Sequence, residues 1–228
     1  MDRTAIVTGG TGGLGAAVVT RLLDDGWRVV VPWVVEAELE RVDEHERLTL
    51  VQADLFNLDA VANVVKEAAN HPPIQGLVNL VGGYAQAGRV HETPLEEFQR
   101  QFKLNLEPTY MMTAACVPQM IEAGGGSIVC VGTRAAVQPF KGAAGYIASK
   151  AAVIAFAHAV AVEYRDDFVR CNAILPSVID TPANRASMPK ADHGRWVKPE
   201  EIAGVIAHLM ADDSAPISGA SIPVYGRA

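Results

Sequence analysis

Five of the seven residues from Gly9 to Gly15 are glycine. A short apolar run from Thr4 to Thr8 stops where they begin. A helical pattern with Leu14, Val18, Leu22 and Leu23 on one side starts where they end, and stops at Gly26. A strand that breaks into glycines and reforms as a helix leaves few folds open. Glycine lets main chain come close to a pyrophosphate, and the helix start offers unpaired N–H groups and the positive end of a dipole. The unit therefore reads as a phosphate cradle opening a doubly wound α/β sheet, in preference to a flexible glycine loop.

The rest of the chain alternates in the way such a sheet needs. Strands are predicted at Trp27–Val31, Leu48–Gln52, Ile74–Leu80, Gly126–Val131, Val169–Leu175 and Ala220–Val224. A helix is predicted over Leu58–Ala69. Another is capped by Thr93, with Pro94 first and Glu96 third, and runs to about Glu122 with kinks or breaks at Pro108 and Pro118. A last helix spans Pro199–Met210. With 228 residues, half of them hydrophobic, and no linker or repeat, the expectation is one domain over 1–228, two small domains being the weaker option.

A net charge of −7 argues against a nucleic-acid partner. Cys116, Cys130 and Cys171 have no metal spacing, and the latter two read as reduced core residues; no metal is expected. His158 reads as a packing histidine. The chain enters its first strand with no signal peptide, and the run Ala151–Val162 is too short to span a bilayer. A cytoplasmic protein without membrane contact is the expectation.

Tyr146 and Lys150 stand four residues apart on the next predicted helix and so share a face. An ammonium beside a phenol should lower its pKa and let it trade a proton with a carbonyl or alcohol oxygen. Alone, such a pair arises often by chance. Together with Thr8-Gly9-x-x-x-Gly13-x-Gly15, in this order, it resembles the short-chain dehydrogenase/reductase family over nearly the whole chain.

The resemblance implies a Rossmann-like domain with a seven-stranded, mostly parallel sheet and helices on both faces. It implies a nicotinamide dinucleotide held by Thr8, Gly9, Thr11, Gly13, Leu14 and Gly15. Asp54 would accept from the adenine amino group, with Leu55 packed on the ring, although Asp54 reads equally as a turn residue. Asn79 and Gly82 match the family's N-N-A-G, the asparagine tying strands and the glycine passing close to the nicotinamide ribose. Pro176, Ile179 and Thr181 would meet the carboxamide and phosphate, and Tyr146 and Lys150 the ribose. Trp33 stands where an acid or base would read the adenosine ribose. NAD(H) is favoured because nothing near Trp33 would pair a phosphate dianion; NADP(H) is the alternative.

By the same likeness Tyr146 is the acid, Lys150 lowers its pKa, and Asn105 supports a water path to Lys150. Thr133 takes the place of a serine thirteen residues before the tyrosine. A capping threonine is the other reading of Thr133. The helix from Thr93 and the Tyr146 helix would form a seam in a homodimer or homotetramer. Residues 132–136 and 175–196 also look like the dihydropteridine reductase branch, with a lid over about 182–197.

The implied activity is hydride transfer between a nicotinamide and a small-molecule carbonyl, alcohol or conjugated C=N. Two rivals stand beside it. One is a 3-oxoacyl thioester reductase with a basic rim of Arg185, Lys190 and Arg195. The other is a dinucleotide-sensing regulator without turnover.

Overall fold

The computed structural model describes residues 2–227. Thr4–Thr8 (β1) is buried along its length and pairs on both sides, with Arg28–Trp33 (β2) and with Ile74–Asn79 (β4). Leu48–Gln52 (β3) lies outside β2. Gly126–Val131 (β5), Val169–Pro176 (β6) and Ser221–Val224 (β7) extend the other side. The sheet order is β3-β2-β1-β4-β5-β6-β7 and every pairing is parallel. The order reverses between β1 and β4. At such a switch point the turns leaving the carboxyl ends part and open a crevice.

Side chains alternate across β1: Ile6 enters one layer, Ala5 and Val7 the other. The first layer is filled by Leu58–Ala69 (α2), Leu95–Glu122 (α3) and Ala144–Glu163 (α4), through Val64, Met112 and Val153. The second holds Gly15–Asp24 (α1) and Pro199–Met210 (α6), through Leu22 and Ile206. Both faces are covered, so strands such as β2 carry unbroken apolar runs.

Three expectations need correction here. Thr93 does not cap α3. Its Oγ1 donates back to the Gly88 and Arg89 carbonyls at 3.2 and 3.0 Å, and Pro94 takes the N-cap position with no side-chain cap. Pro108 and Pro118 do not break α3, which is continuous from Leu95 to Glu122. Each removes one N–H from the ladder, at the carbonyls of Leu104 and Ala114, and packing against α4 and β4 carries the helix through. Finally, α4 outruns its apolar core. At 20 residues it is long and apolar enough to cross a membrane by composition. In this fold it lies against α3, β5 and β6.

β2 also extends past Val31. Pro32 and Trp33 stay in register with Val51 and Gln52 of β3, while the ladder to β1 ends at Val30. The missing Pro32 N–H therefore leaves no partner unpaired on that side. All three cysteines are free and buried, and His158 Nε2 is satisfied by Ser221 Oγ at 2.8 Å.

Candidate active site

The turn after β1 is closed by its own main chain. Gly9 adopts φ +65°, and its carbonyl accepts from Gly12 N at 3.0 Å. A Cβ on Gly15 would overlap that same carbonyl, so only glycine fits there. Thr8, 1% exposed, locks the turn to β4: its Oγ1 donates to Val78 O at 3.4 Å and accepts from Leu80 N at 3.1 Å. No side chain caps α1 and its first turn holds no acid. The uncapped start, with Leu14 at the N-cap, is the kind of site that takes a phosphate.

Thr181 arrives from far along the chain, at the N-cap of the short helix Pro182–Ser187 (α5). Its Oγ1 accepts from Asn184 N at 3.3 Å, and its methyl lies 3.1 Å from where a Gly13 Cβ would stand. The turn after β6 thus meets the glycine turn. Pro176 ends β6. Ile179 bridges to Val197, and its carbonyl is taken by Asn184 Nδ2 at 2.8 Å and Thr181 N at 2.9 Å, while its N–H has no partner among the described residues. Bare main chain, an uncapped helix start and a hydroxyl at one mouth fit a dinucleotide phosphate.

Trp33 is half-buried at the end of β2, its carbonyl accepting from Ala53 N at 3.0 Å. The segment that reaches the glycine turn is the 3-10 helix Glu36–Arg41. Thr11 Oγ1 donates to Glu38 Oε2 at 3.0 Å, Arg41 Nη1 donates to Thr11 O at 3.2 Å, and Arg41 pairs with Glu38 Oε1 at 3.0 Å. The i,i+3 spacing of Glu38 and Arg41, which eclipses on a 3-10 turn, was the available sequence signal for this clasp. Asp54 Oδ1 accepts from Phe56 N at 3.0 Å, a turn role. The Leu55 side chain is buried in the core with Val61 and Val64, so it offers no surface to a ring.

Beside β4 the groups converge. Asn79 Nδ2 donates to Thr113 Oγ1 at 3.2 Å and reaches Cys130 Sγ at 3.7 Å, tying β4 to α3 and β5. A Cβ on Gly82 would lie 2.6 Å from Asn105 Oδ1 and 3.0 Å from Lys150 Nζ. The absent side chain is what admits both. Asn105 is fully buried and clasps the loop: its Oδ1 accepts from Gly83 N at 2.9 Å, and its Nδ2 donates to Gly83 O and Ser149 Oγ, each at 3.1 Å. Ser149 Oγ in turn donates to Tyr146 O at 2.8 Å.

Lys150 is 6% exposed, and its Nζ donates to Val131 O at 2.8 Å. Burial pulls its pKa down to about 8, against a smaller upward pull from Cys130. Tyr146 does not follow the expected direction. Burial pushes its phenol up, the neighbouring Thr133 side chain opposes this, and Tyr84 adds to the rise. The Lys150 ammonium is turned to the Val131 carbonyl, so the four-residue spacing alone does not lower the phenol. Thr133 is 8% exposed and lines the same cavity wall as Tyr146; its Oγ1 caps the 3-10 turn Arg134–Ala136, accepting from Ala135 N at 3.3 Å.

These groups border a cavity of about 700 Å³ that also takes in Leu14, Gly82, Pro176 and Ile179. Tyr84, Phe140, Arg134 and Met188 line it too. The Tyr84 ring stands edge-on to Tyr146, centroids 5.1 Å apart at 86°. Of the segment read as a lid, Asn184 and Met188 reach the cavity.

Comparison with known proteins shows the family and the fold. The profile of a family described as short chain dehydrogenase matches residues 3–192. The 2-(R)-hydroxypropyl-CoM dehydrogenase of Xanthobacter autotrophicus is 30% identical over 99% of this chain and 98% of its own length. A short-chain type dehydrogenase/reductase from Mycobacterium ulcerans superposes with a TM-score of 0.91 at 26% identity, covering 99% of this chain and 89% of that one. The 3-ketoacyl-(acyl-carrier-protein) reductase of Brucella melitensis, solved with NADH, gives a TM-score of 0.88 at 27% identity, with 98% and 97% covered.

Proposed function

The chain belongs to the short-chain dehydrogenase family and is an NAD(P)-dependent oxidoreductase, and on that premise we propose how its own residues divide the work. Tyr146 gives its phenolic proton to the substrate oxygen in reduction and takes it back in oxidation. The nicotinamide supplies or receives the hydride at the carbon. Thr133 orients the substrate oxygen. Lys150 would hold the cofactor's ribose and supply positive charge as phenolate forms. Asn105 is a positioning residue, fixing Gly83 and α4 relative to each other.

The observation that carries this reading is the convergence of Tyr146, Thr133 and Lys150 on one cavity beside Gly82, with Lys150 Nζ anchored to Val131 O at 2.8 Å. It joins the two groups that a carbonyl oxygen would need, one to donate a proton and one to orient it.

Thr8, Gly9, Thr11, Gly13, Leu14, Gly15, Asn79, Gly82, Pro176, Ile179 and Thr181 would hold the cofactor, with Trp33 and Asp54 toward its adenosine end. NAD(H) is the preferred form in this reading. Glu38, bonded to the Thr11 hydroxyl, sets a carboxylate beside the glycine turn and repels a 2′-phosphate; Arg41 would serve NADP(H) only if freed from it. One sheet, covered on both faces, supports a single catalytic unit over 1–228 with a lid at about 182–197. Exposed Leu95, Phe98, Tyr110 and Val162 on α3 and α4 support a homo-oligomer, and free buried cysteines suit a cytoplasmic setting.

The carrier-thioester reading draws less support, since Arg185 is paired with Asp180 and Arg195 Nε donates to Arg227 O at 3.0 Å. A regulator that binds the dinucleotide without turnover could dispense with the Tyr146 acid, so its presence beside Lys150 favours catalysis.

Tyr146→Phe tests the proposal. NADH oxidation, scored against quinonoid pterins, β-keto thioesters and simple ketones, should fall roughly 10²- to 10⁴-fold. NADH binding by fluorescence titration should be nearly unchanged. Retained turnover would remove Tyr146 from the mechanism.

A further inference from the structure

The charge lining the cavity is one-sided. Among the described residues only Lys150 and Arg134 carry charge there, and no acid faces it. Lys150 is committed to the inner end through Val131 O at 2.8 Å. Arg134 is held by its base and its face. Nε donates to Gln138 Oε1 at 2.8 Å, and the guanidinium carbon lies 5.2 Å from the centre of the Tyr225 ring. Its two terminal nitrogens make no hydrogen bond within the described residues, and no carboxylate there pairs with it. Such a fork is pre-oriented for a planar oxyanion.

The surfaces beside it are aromatic. Tyr84 and Phe140 line the cavity with centroids 6.3 Å apart, and they are 54% and 48% exposed. Large rings left open on the wall of a concave site suit a flat apolar body. Arg134 also follows Thr133 directly, so the anchors for the reacting oxygen and for an anion sit on adjacent residues. That arrangement fits a short, rigid molecule.

We propose that the cavity takes a small aromatic ketone or alcohol carrying an oxyanion group, which Arg134 holds while the ring lies along Tyr84 and Phe140. The assignment rests on the reading of this cavity as the active site. Reduction adds hydride to the ketone carbon and the Tyr146 proton to its oxygen, giving the alcohol; the oxyanion is unchanged.

The pair 4-acetylbenzoate and methyl 4-acetylbenzoate separates the charge from the ring. Both are ketones that NAD⁺ cannot oxidise, so each can be titrated calorimetrically into NAD⁺-loaded enzyme without turnover. The wild type should bind the acid roughly 10- to 100-fold more tightly than the ester. Arg134→Gln should remove that preference by weakening the acid alone, and Arg134→Lys should restore part of it. Equal binding of acid and ester by the wild type, no binding of either, or a preference that survives Arg134→Gln would overturn the proposal. NADH oxidation with the same two ketones reports separately on the active-site reading: acid-selective binding with no hydride transfer would fault the Tyr146 mechanism and leave the anion site standing.

Discussion

On one side of the cavity the chain presents main chain: the glycine turn after β1, Gly82 after β4, and the N–H of Ile179 after β6. On the other it presents side chains, Tyr84, Phe140, Arg134 and Met188, from three separate loops. The first wall has few solutions, because a main-chain surface works only where side chains are absent. The second has many, since any loop can carry any residue into the same space. A family can therefore keep one cofactor and change substrates by altering the second wall alone.

The largest expected difference between the walls is in tolerance to substitution. Gly15→Ala puts a methyl into the Gly9 carbonyl. It should cost about 3 kcal/mol or more in urea unfolding, and NADH binding with it. Met188→Ala, on a half-exposed wall residue, should stay within about 0.5 kcal/mol of wild type. Equal stability of the two variants would end the distinction.

This contrast also explains what was legible beforehand. The sheet, the glycine cradle and the Tyr146–Lys150 spacing could be read because each is local in sequence, and a strand, a turn and a helix leave periodic marks. The Glu38–Arg41 clasp on Thr11 could not, because it depends on where a 3-10 segment folds back. Nor could the direction of the Tyr146 shift. Helical spacing places two side chains on one face but does not say that Lys150 turns to the Val131 carbonyl. Leu55 shows the same limit: a position in a motif does not say which way the side chain points.

Lys150 belongs to the inner end, where the two walls join, and its burial has a stability consequence. Its pKa falls from the ordinary 10.5 to about 8. At pH 7 the charged form is held against its preference, so Lys150→Met should stabilise the fold by on the order of 1–3 kcal/mol while abolishing turnover. Between pH 8 and 10.5 the unfolded chain keeps a proton that the folded chain has released, so wild-type stability from this group rises with pH. The advantage of the variant should shrink across that window. Denaturant midpoints measured at pH 7, 9 and 10.5 would show whether it does; a constant gap would mean the lysine is not strained by burial.

A smaller effect is expected at the adenosine end. Glu38→Gln removes the carboxylate that engages Arg41. NADPH affinity should then improve about tenfold relative to NADH, by fluorescence titration. An unchanged ratio would place the 2′-reader elsewhere.

The central claim is that Tyr146 is the group exchanging the proton, and the pH dependence of single-turnover hydride transfer tests it most directly. Reduction should slow and oxidation should quicken as rising pH ionises the phenol, with one shared midpoint in the wild type. Tyr146→Phe should show neither trend. The same pH dependence in Tyr146→Phe as in the wild type would assign the proton to another group and contradict the account.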